Sequence, residues 1–476
     1  MENHLNPKTM KLTLKVLLIF LISNISFASS YLSPIDISFR LKIDRLIQCG
    51  LKINPISFNT YPKDRISKQI LIQQEQLNSN CKQLTNSVLN EIEQDYQNSK
   101  NSLSYSSNVG DYNFQDINQK SYDKSTISLS HQSKRNDSFD YELSIQQNDD
   151  ETTFDQTKFN YLFNNQRLTI GELSRNWSSS YETSLILSPH SKSRPGITLS
   201  NNYEYDFNIP LTNNNLKFDY EVFVEKLESN RTIPNAKLLG GRVNLYPNDR
   251  LNIALLRTAM WGGDGQSEDL NSFLKLLKGR DKSDSDDSVN QLAGIDLNYK
   301  FLDNKNLDLH TQIIGEDQDA FLPTKRFYQL GLGYSFLNNP NPNKLSIEYL
   351  DTGSHGRTSG NSKNVTYNHG IYQTGYRYKN DSLGANIDGD ASKISLSYYT
   401  FLNNNDFLNL SVSKSDLNKN SDSRKKYINN ESLNSLNLNY QKQVNQNLKL
   451  NLINQFNSIK NNKDQINSSI NLNYLF

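Results

Sequence analysis

The sequence predicts a transmembrane antiparallel β-barrel of about 18 strands, preceded by a small α-helical bundle. Three observations carry the prediction. From residue 100 onward apolar residues recur at every second position. Phe139, Tyr141, Leu143 and Ile145, for example, alternate with Asp140, Glu142, Ser144 and Gln146. Only 35% of the 476 residues are hydrophobic, yet 10% are aromatic and fall into regular patterns. Such a composition fits strands that are apolar on a lipid-facing side and polar on a lumenal side. It argues against disorder, which lacks ordered aromatic periodicity. Finally, the chain closes on Ile470, Leu472, Tyr474 and Phe476, all on one face of a strand that runs to an aromatic last residue. A soluble sandwich would instead need its apolar faces to meet in a core.

The first 28 residues read as a signal peptide. Lys8, Lys11 and Lys15 precede the apolar run Val16–Ile22, and Ser26-Phe-Ala28 is a small-x-small cleavage pattern. The run is too short for a stable spanning helix, and no later stretch approaches the length one needs. Residues 29–98 then read as a helical bundle facing the periplasm. Phe39, Ile43, Leu46 and Ile47 share a helix face that Gly50 is placed to cap. Pro62 fits the first turn of a second helix carrying Ile66 and Ile70. Cys81, Leu84, Val88, Ile92 and Tyr96 form a third stripe. Cys49 and Cys81, the two cysteines, are either a disulfide of an oxidising compartment or two small buried residues.

Residues 99–476 read as the barrel. Eight strands are expected near 101–108, 123–132, 138–147, 155–163, 166–173, 196–207, 216–226 and 237–246, and ten more from 251 to the end. Short connections rich in Asn and Pro, such as Tyr246–Arg250, Asn338–Asn343, Asn403–Asn405 and Asn445–Asn447, alternate with long ones at 261–290, 315–326, 353–391 and 415–430. An even count puts both barrel ends on the side of the helices, which is the expectation for short periplasmic turns and long outer loops. A barrel of this size encloses a wide lumen. The helices are expected to plug its lower end and the outer loops to cap its top. Gly262, Gly263 and Gly265 read as a hinge after the strand ending at Trp261. A short amphipathic helix carrying Leu270, Phe273, Leu274 and Leu277 and ended by Gly279 is expected to fold over the mouth.

Several stretches, in order along the mature chain, resemble the capsule-assembly Wzi family of outer-membrane proteins. They include Leu46–Gly50, Thr60–Pro62, Ser184–Ser188 with Arg194–Gly196, Arg257–Gly265, Gln291–Leu297, Ile314–Asp317, Ile347–Thr352, Tyr367–Tyr372, Gly375–Tyr378 and Asp388–Asp390. The resemblance implies an eighteen-stranded barrel in the bacterial outer membrane with a periplasmic bundle. It also implies a lectin-like role in binding and anchoring capsular or other surface polysaccharide. Partners so implied are that polymer, outer-membrane lipid and the barrel assembly machinery, for which the aromatic-ended last strand looks like the signal. The sequence departs from the family pattern at Arg175–Ser179, where a Trp- and Gly-rich turn is expected.

Sugar sites stack aromatic rings on pyranose faces and satisfy hydroxyls with Asp, Asn, Glu and Arg. Three candidate clusters fall at the outer end: Trp261 with Asp264; Glu316 with Asp317 and Asp319; and Tyr367, His369, Tyr372, Tyr376, Arg377, Tyr378, Asp388 and Asp390. Each has a structural alternative, because Trp and Tyr also form interfacial girdles and inward charges also brace a lumen. Arg377, Lys325 and Arg326 are candidates to pair with an acidic polymer. No HExxH, GxSxG, P-loop or CxxC motif occurs, and the six His lack ligand spacing. The expectation is therefore a non-enzyme without metal or cofactor. A net charge of +1 gives no case for nucleic acid. The runner-up is a substrate-specific channel, and a barrel enzyme acting on lipid or glycan stands third.

Overall fold

The computed structural model describes residues 36–476 except 54–61, 79–80, 98, 110–124, 135–137, 150, 209–214, 279–288, 302–305, 320–321, 336–340, 357–360, 403–405, 425–426, 428 and 461–462. The expected signal peptide, Thr60, Tyr61 and Gly279 lie outside the described residues.

Three helices come first: α1 (Ile37–Gln48), α2 (Lys63–Gln73) and α3 (Lys82–Gln97). The carboxylate of Asp36 caps α1 by accepting from the Phe39 N–H at 3.0 Å. Gly50 ends it: its N–H bonds the Ile47 carbonyl while that of Leu51 bonds Leu46, the paired bonds of a Schellman stop. Phe39, Ile43, Leu46, Ile66, Ile70, Val88 and Ile92 are the buried stripes that meet in a common core. A disulfide joins Cys49, just past α1, to Cys81, just before α3. It closes a separation of 32 residues that includes α2.

Eighteen strands follow and close on themselves. In chain order β1–β9 are Lys100–Val109, Ser125–Gln132, Phe139–Asn148, Lys158–Phe163, Gln166–Glu172, Pro195–Asn201, Asn215–Lys226, Lys237–Asn248 and Leu251–Trp261. After the helix α4 (Leu270–Lys278), β10–β18 are Asn290–Lys300, Leu307–Asp319, Leu322–Ser335, Asn343–Gly356, Ser392–Phe401, Phe407–Leu417, Glu431–Gln443, Leu448–Ile459 and Gln465–Leu475. Each pairs antiparallel with its neighbours, and the last strand pairs with the first, from Ser102 opposite Leu475 to Val109 opposite Ser468. Three short segments, Thr152–Thr153, Tyr205–Asn208 and Asn361–Ser362, extend the sheet at its rims. Closure leaves no unpaired edge, the condition for backbone to cross hydrocarbon.

The wall is inside out relative to a soluble protein. Ile127, Val243, Leu255, Ile295, Leu330, Ile394, Val412 and Phe456 are among its exposed residues, whereas Asp140, Arg167, Arg242, Asp296, Gln312 and Glu348 on the alternate positions are buried. That is the period-two pattern of the sequence in three dimensions: lipid on one face, a polar lumen on the other. No helix among the described residues is long and apolar enough to cross a membrane.

The bundle seats on one end of the barrel, the helix end. Arg65 of α2 pairs with Asp219 at 2.6 Å and donates to the Asn202 carbonyl at 3.1 Å. Asp44 of α1 meets Lys344 at 3.1 Å. Ile37 and Leu41 pack with Tyr181, Tyr399, Phe401 and Phe407. The opposite end, with the longer connections, is the loop end.

The expected lid over the mouth is not what α4 forms. Gly262 and Gly263 do turn the chain, at φ +66° and +100°. But Trp261 and Arg257 sit on outward positions of β9, in register with Lys237 and Gly241. Phe273 packs edge-on to Trp261 at 5.7 Å, and Arg257 donates to the carbonyl of Leu276 at 2.5 Å. The helix therefore lies against the outer wall. An outward arginine on a lipid-facing strand needs acceptors, and the end of the helix and Gln291 supply them.

Candidate functional site

Two loop-end connections turn into the lumen and fill it. The first, residues 173–194 between β5 and β6, is buried almost throughout, with Trp177, Tyr181, Leu185 and Ile186 all at 0% exposure. This plug is held by lumenal groups of the wall. Ser179 bonds Asp296, the amide of Leu185 donates to Gln312 at 2.6 Å, and the Tyr181 amide donates to Glu348 at 2.9 Å. Gln329 donates to the Thr183 carbonyl at 3.0 Å, and Lys393 pairs with Glu182. At the root Arg175 bridges Glu221 and Glu225 while its guanidinium covers the Phe223 ring at 3.9 Å. The plug reaches the helix end, where the Tyr181 hydroxyl donates to Asp44 and Arg40 donates to the carbonyls of Ser179 and Ser180. One connection thus runs the depth of the barrel and ties the loop end to the bundle. It holds both the departure from the family pattern at Arg175–Ser179 and the family-like stretch Ser184–Ser188.

The second connection, residues 361–391, caps the plug. Tyr367 donates through its hydroxyl to the Leu185 carbonyl at 2.5 Å, and Ser188 donates to the Leu383 carbonyl at 2.8 Å. Gly384 is required at this crossing, since a Cβ there would lie 2.5 Å from the Leu185 carbonyl oxygen.

The candidate residues separate in this frame. Arg377 binds Asp388 through both Nε and Nη2, at 3.0 and 2.7 Å, and both are buried. The Tyr376 hydroxyl bonds Thr258 at 2.8 Å, and that of Tyr372 donates to the Gly262 carbonyl at 3.0 Å. Burial pushes both hydroxyls well above the ordinary tyrosine range, so they remain protonated donors. Glu316 accepts the Tyr367 amide at 2.6 Å. The structure thus brings the second and third clusters together, as the internal frame of the cap. Arg377 presents its charge to Asp388, not to the surroundings, so it does not pair with a polymer in this conformation. Trp261 faces the outer wall. Asp264 is exposed and accepts from Asn235 at 3.0 Å. The side chain of Asp317 lies outside the described residues.

A cleft of about 370 Å³ opens at the loop end between the cap and β10–β12. Asn290, Gln291, Asn368, His369 and Arg424 line it, with Glu316 at its base. Arg424 grips Asp422 at 2.8 Å yet leaves 44% of its side chain exposed. Asp422 in turn accepts from Asn368 at 2.9 Å. His369 accepts the amides of Ile371 and Tyr372 on Nδ1, both at 3.2 Å, which leaves its proton on Nε2 when neutral. The cleft therefore offers fixed amide, imidazole and guanidinium groups, a set suited to hydroxyls and carboxylates. Of the residues lining it, which also include Lys325, sequence reading singled out Glu316, Lys325 and His369. It missed Asn290, Gln291 and Arg424, which are far apart in sequence and carry no periodic signal, and it missed the plug. For the plug a signal existed: Leu185-Ile-Leu187 sits in a Ser-rich connection far too long for a turn.

Fold and site together define a membrane-spanning β-barrel whose lumen is filled from the loop end and closed by helices at the other. The profile of the family described as capsule assembly protein Wzi matches residues 80–469, and the chain belongs to that family. The solved structure of Wzi from Escherichia coli, described as an outer-membrane, carbohydrate-binding β-barrel involved in group 1 capsule assembly, superposes with a TM-score of 0.81. The superposition covers 95% of this chain and 100% of that one at 19% identity. An uncharacterized 55.8 kDa protein in the cps region of Klebsiella pneumoniae is 26% identical over 173 residues. That match spans 36% of this chain and about a third (34%) of the relative's length.

Proposed function

We propose that this chain is a non-catalytic outer-membrane lectin that binds capsular or similar surface polysaccharide at its loop end and anchors it there. The loop end then faces outward and the helical bundle faces the periplasm. The observation that carries the reading is the polar cleft of about 370 Å³ on a barrel whose interior is filled by its own loops. A lumen occupied largely by the chain's own loops leaves the outer face as the working surface. The cleft's donors are held by Asp422 and by backbone amides, so they need little reordering to meet a sugar. Membership of a capsule-assembly family and the description of the Escherichia coli barrel support the same reading. Glu316, Tyr372, Tyr376, Arg377 and Asp388 act by shaping the cleft. Exposed Asp264 is a further contact at the same end. Deleting the protein tests the role in cells: polymer is expected to shift from the cell surface to the medium, and full retention would contradict anchoring.

A narrow channel is the second reading, and one observation favours it. The plug leaves a polar cavity of about 490 Å³ along the seam where β18 meets β1, lined by Ser102, Ser104, Ser128, Ser130, Asn451 and Asn471 among others. Large, steady single-channel currents in a planar bilayer would favour the channel over the lectin.

A further inference from the structure

We propose that the groove between α4 and the outer wall is a binding site for one acyl chain of a membrane lipid. The groove, about 820 Å³, lies on the outward face of β6–β9. Its walls are Leu199, Val222, Val224, Leu239 and Trp261 from the strands and Phe273 from the helix.

Three features set it apart from the rest of the lipid-facing surface. First, a loop element covers the wall here. α4 lies along the barrel with Leu276 buried, while Leu274 points away at 43% exposure and Leu270, 72% exposed, stands at the rim of the groove. A helix apolar on two sides, one against the wall and one against its surroundings, belongs among hydrocarbon at a membrane boundary. Second, the wall beneath it is hollowed. Large outward residues such as Val243 and Leu255 give way to Gly241 and Ala259. A Cβ on Gly241 would meet only Val222, at an ordinary 3.8 Å, so the space is real and backbone packing does not require glycine there. Third, the groove is continuous with the exposed apolar band of Ile197, Val222, Val224 and Leu255. A chain already in the bilayer enters it by lateral movement. The groove's lining is overwhelmingly apolar, and the polar groups at its rim are engaged: Lys237 pairs with Glu268, and Arg257 donates to Leu276 and Gln291. That chemistry selects a hydrocarbon chain and offers nothing to a sugar. The inference does not rest on polysaccharide binding, and its failure would leave that reading untouched.

The two tryptophans make the test direct. Trp177 is fully buried in the lumen, whereas Trp261 lines the groove. Phospholipid brominated on its acyl chains is titrated into the detergent-solubilised full-length barrel while tryptophan fluorescence is followed. The expected result is quenching that saturates at low lipid-to-protein ratio. Gly241→Leu, which fills the floor, should shift half-saturation by about tenfold, the loss expected when a couple of methylenes of apolar contact are removed. Val412→Leu, on a distant part of the wall, should leave the curve unchanged. Quenching that rises linearly with the mole fraction of brominated lipid, or no quenching at all, would overturn the proposal. The wild-type curve decides this even if the glycine variant fails to fold.

Discussion

Arg377 and Asp388 show how a residue can look like a ligand group and serve as a frame. Their bidentate pair is buried inside the cap, and Arg377 also donates to the Tyr367 carbonyl and to Asn368 at 3.3 and 3.2 Å. Replacing Arg377 with Met strands a buried carboxylate, a change that typically costs about 3–5 kcal/mol. The expected outcome is rapid amide exchange and protease cleavage within 361–391, with the strand amides of the barrel still protected. Protection equal to wild type would mean the pair is dispensable. Asp44 gives a pH-dependent counterpart. Burial pushes its carboxyl up, but Lys344, Arg40 and Lys300 outweigh that and hold it below the ordinary value of 3.8. A depressed carboxylate contributes stability that is fully present above its unfolded value and is lost as pH falls through the folded one. Bundle docking, followed by amide exchange in α1, should thus persist to about pH 4 and weaken below it. Asp44→Asn should weaken docking at neutral pH and flatten the acid dependence. The sequence offered no way to tell these roles, because a charged residue reads alike whether it faces a partner inside or a ligand outside.

At the scale of elements, what repeats was legible and what folds inward was not. Every strand follows from alternation, and the three helices follow from their stripes and from Gly50. The plug has neither period: its order comes from wall groups such as Gln312, Gln329 and Glu348, each on a different strand. The position of α4 escaped for a related reason. Phe273 and Leu276 pack on the barrel wall and Leu274 faces away, a division that depends on Trp261 and Arg257 facing out. Two predictions belong here. Replacing residues 174–193 by a short turn should open the lumen and give steady conductance in a planar bilayer. Conductance unchanged from wild type would mean that the remaining loops seal the barrel alone. Reducing the Cys49–Cys81 bond, which closes a separation of 32 residues, should lower bundle stability by about 3–4 kcal/mol in the loop-entropy account. Denaturant melts of helical signal with and without reductant measure it, and coincident melts would contradict it.

The whole molecule is a closed wall with a polar interior, and composition together with period-two patterning announced it: few apolar residues, many aromatics, one face per strand. The count and closure followed from alternating loop lengths. The working face did not, because the cleft gathers Asn290, Gln291, Asn368 and Arg424 from strands and loops that only the closed barrel brings together. A barrel filled by its own loops and carrying this cleft is the physical case for a surface lectin. The most direct measurement is equilibrium binding of the purified full-length barrel to purified surface polysaccharide from cells that make it, by titration calorimetry or co-sedimentation. The account predicts saturable binding to wild type. The double variant Asn290→Ala, Arg424→Ala should weaken it by tenfold or more, on the order of two lost charge-assisted or amide hydrogen bonds, while the barrel keeps its fold. Absence of wild-type binding, or binding unchanged by the double variant, would contradict it.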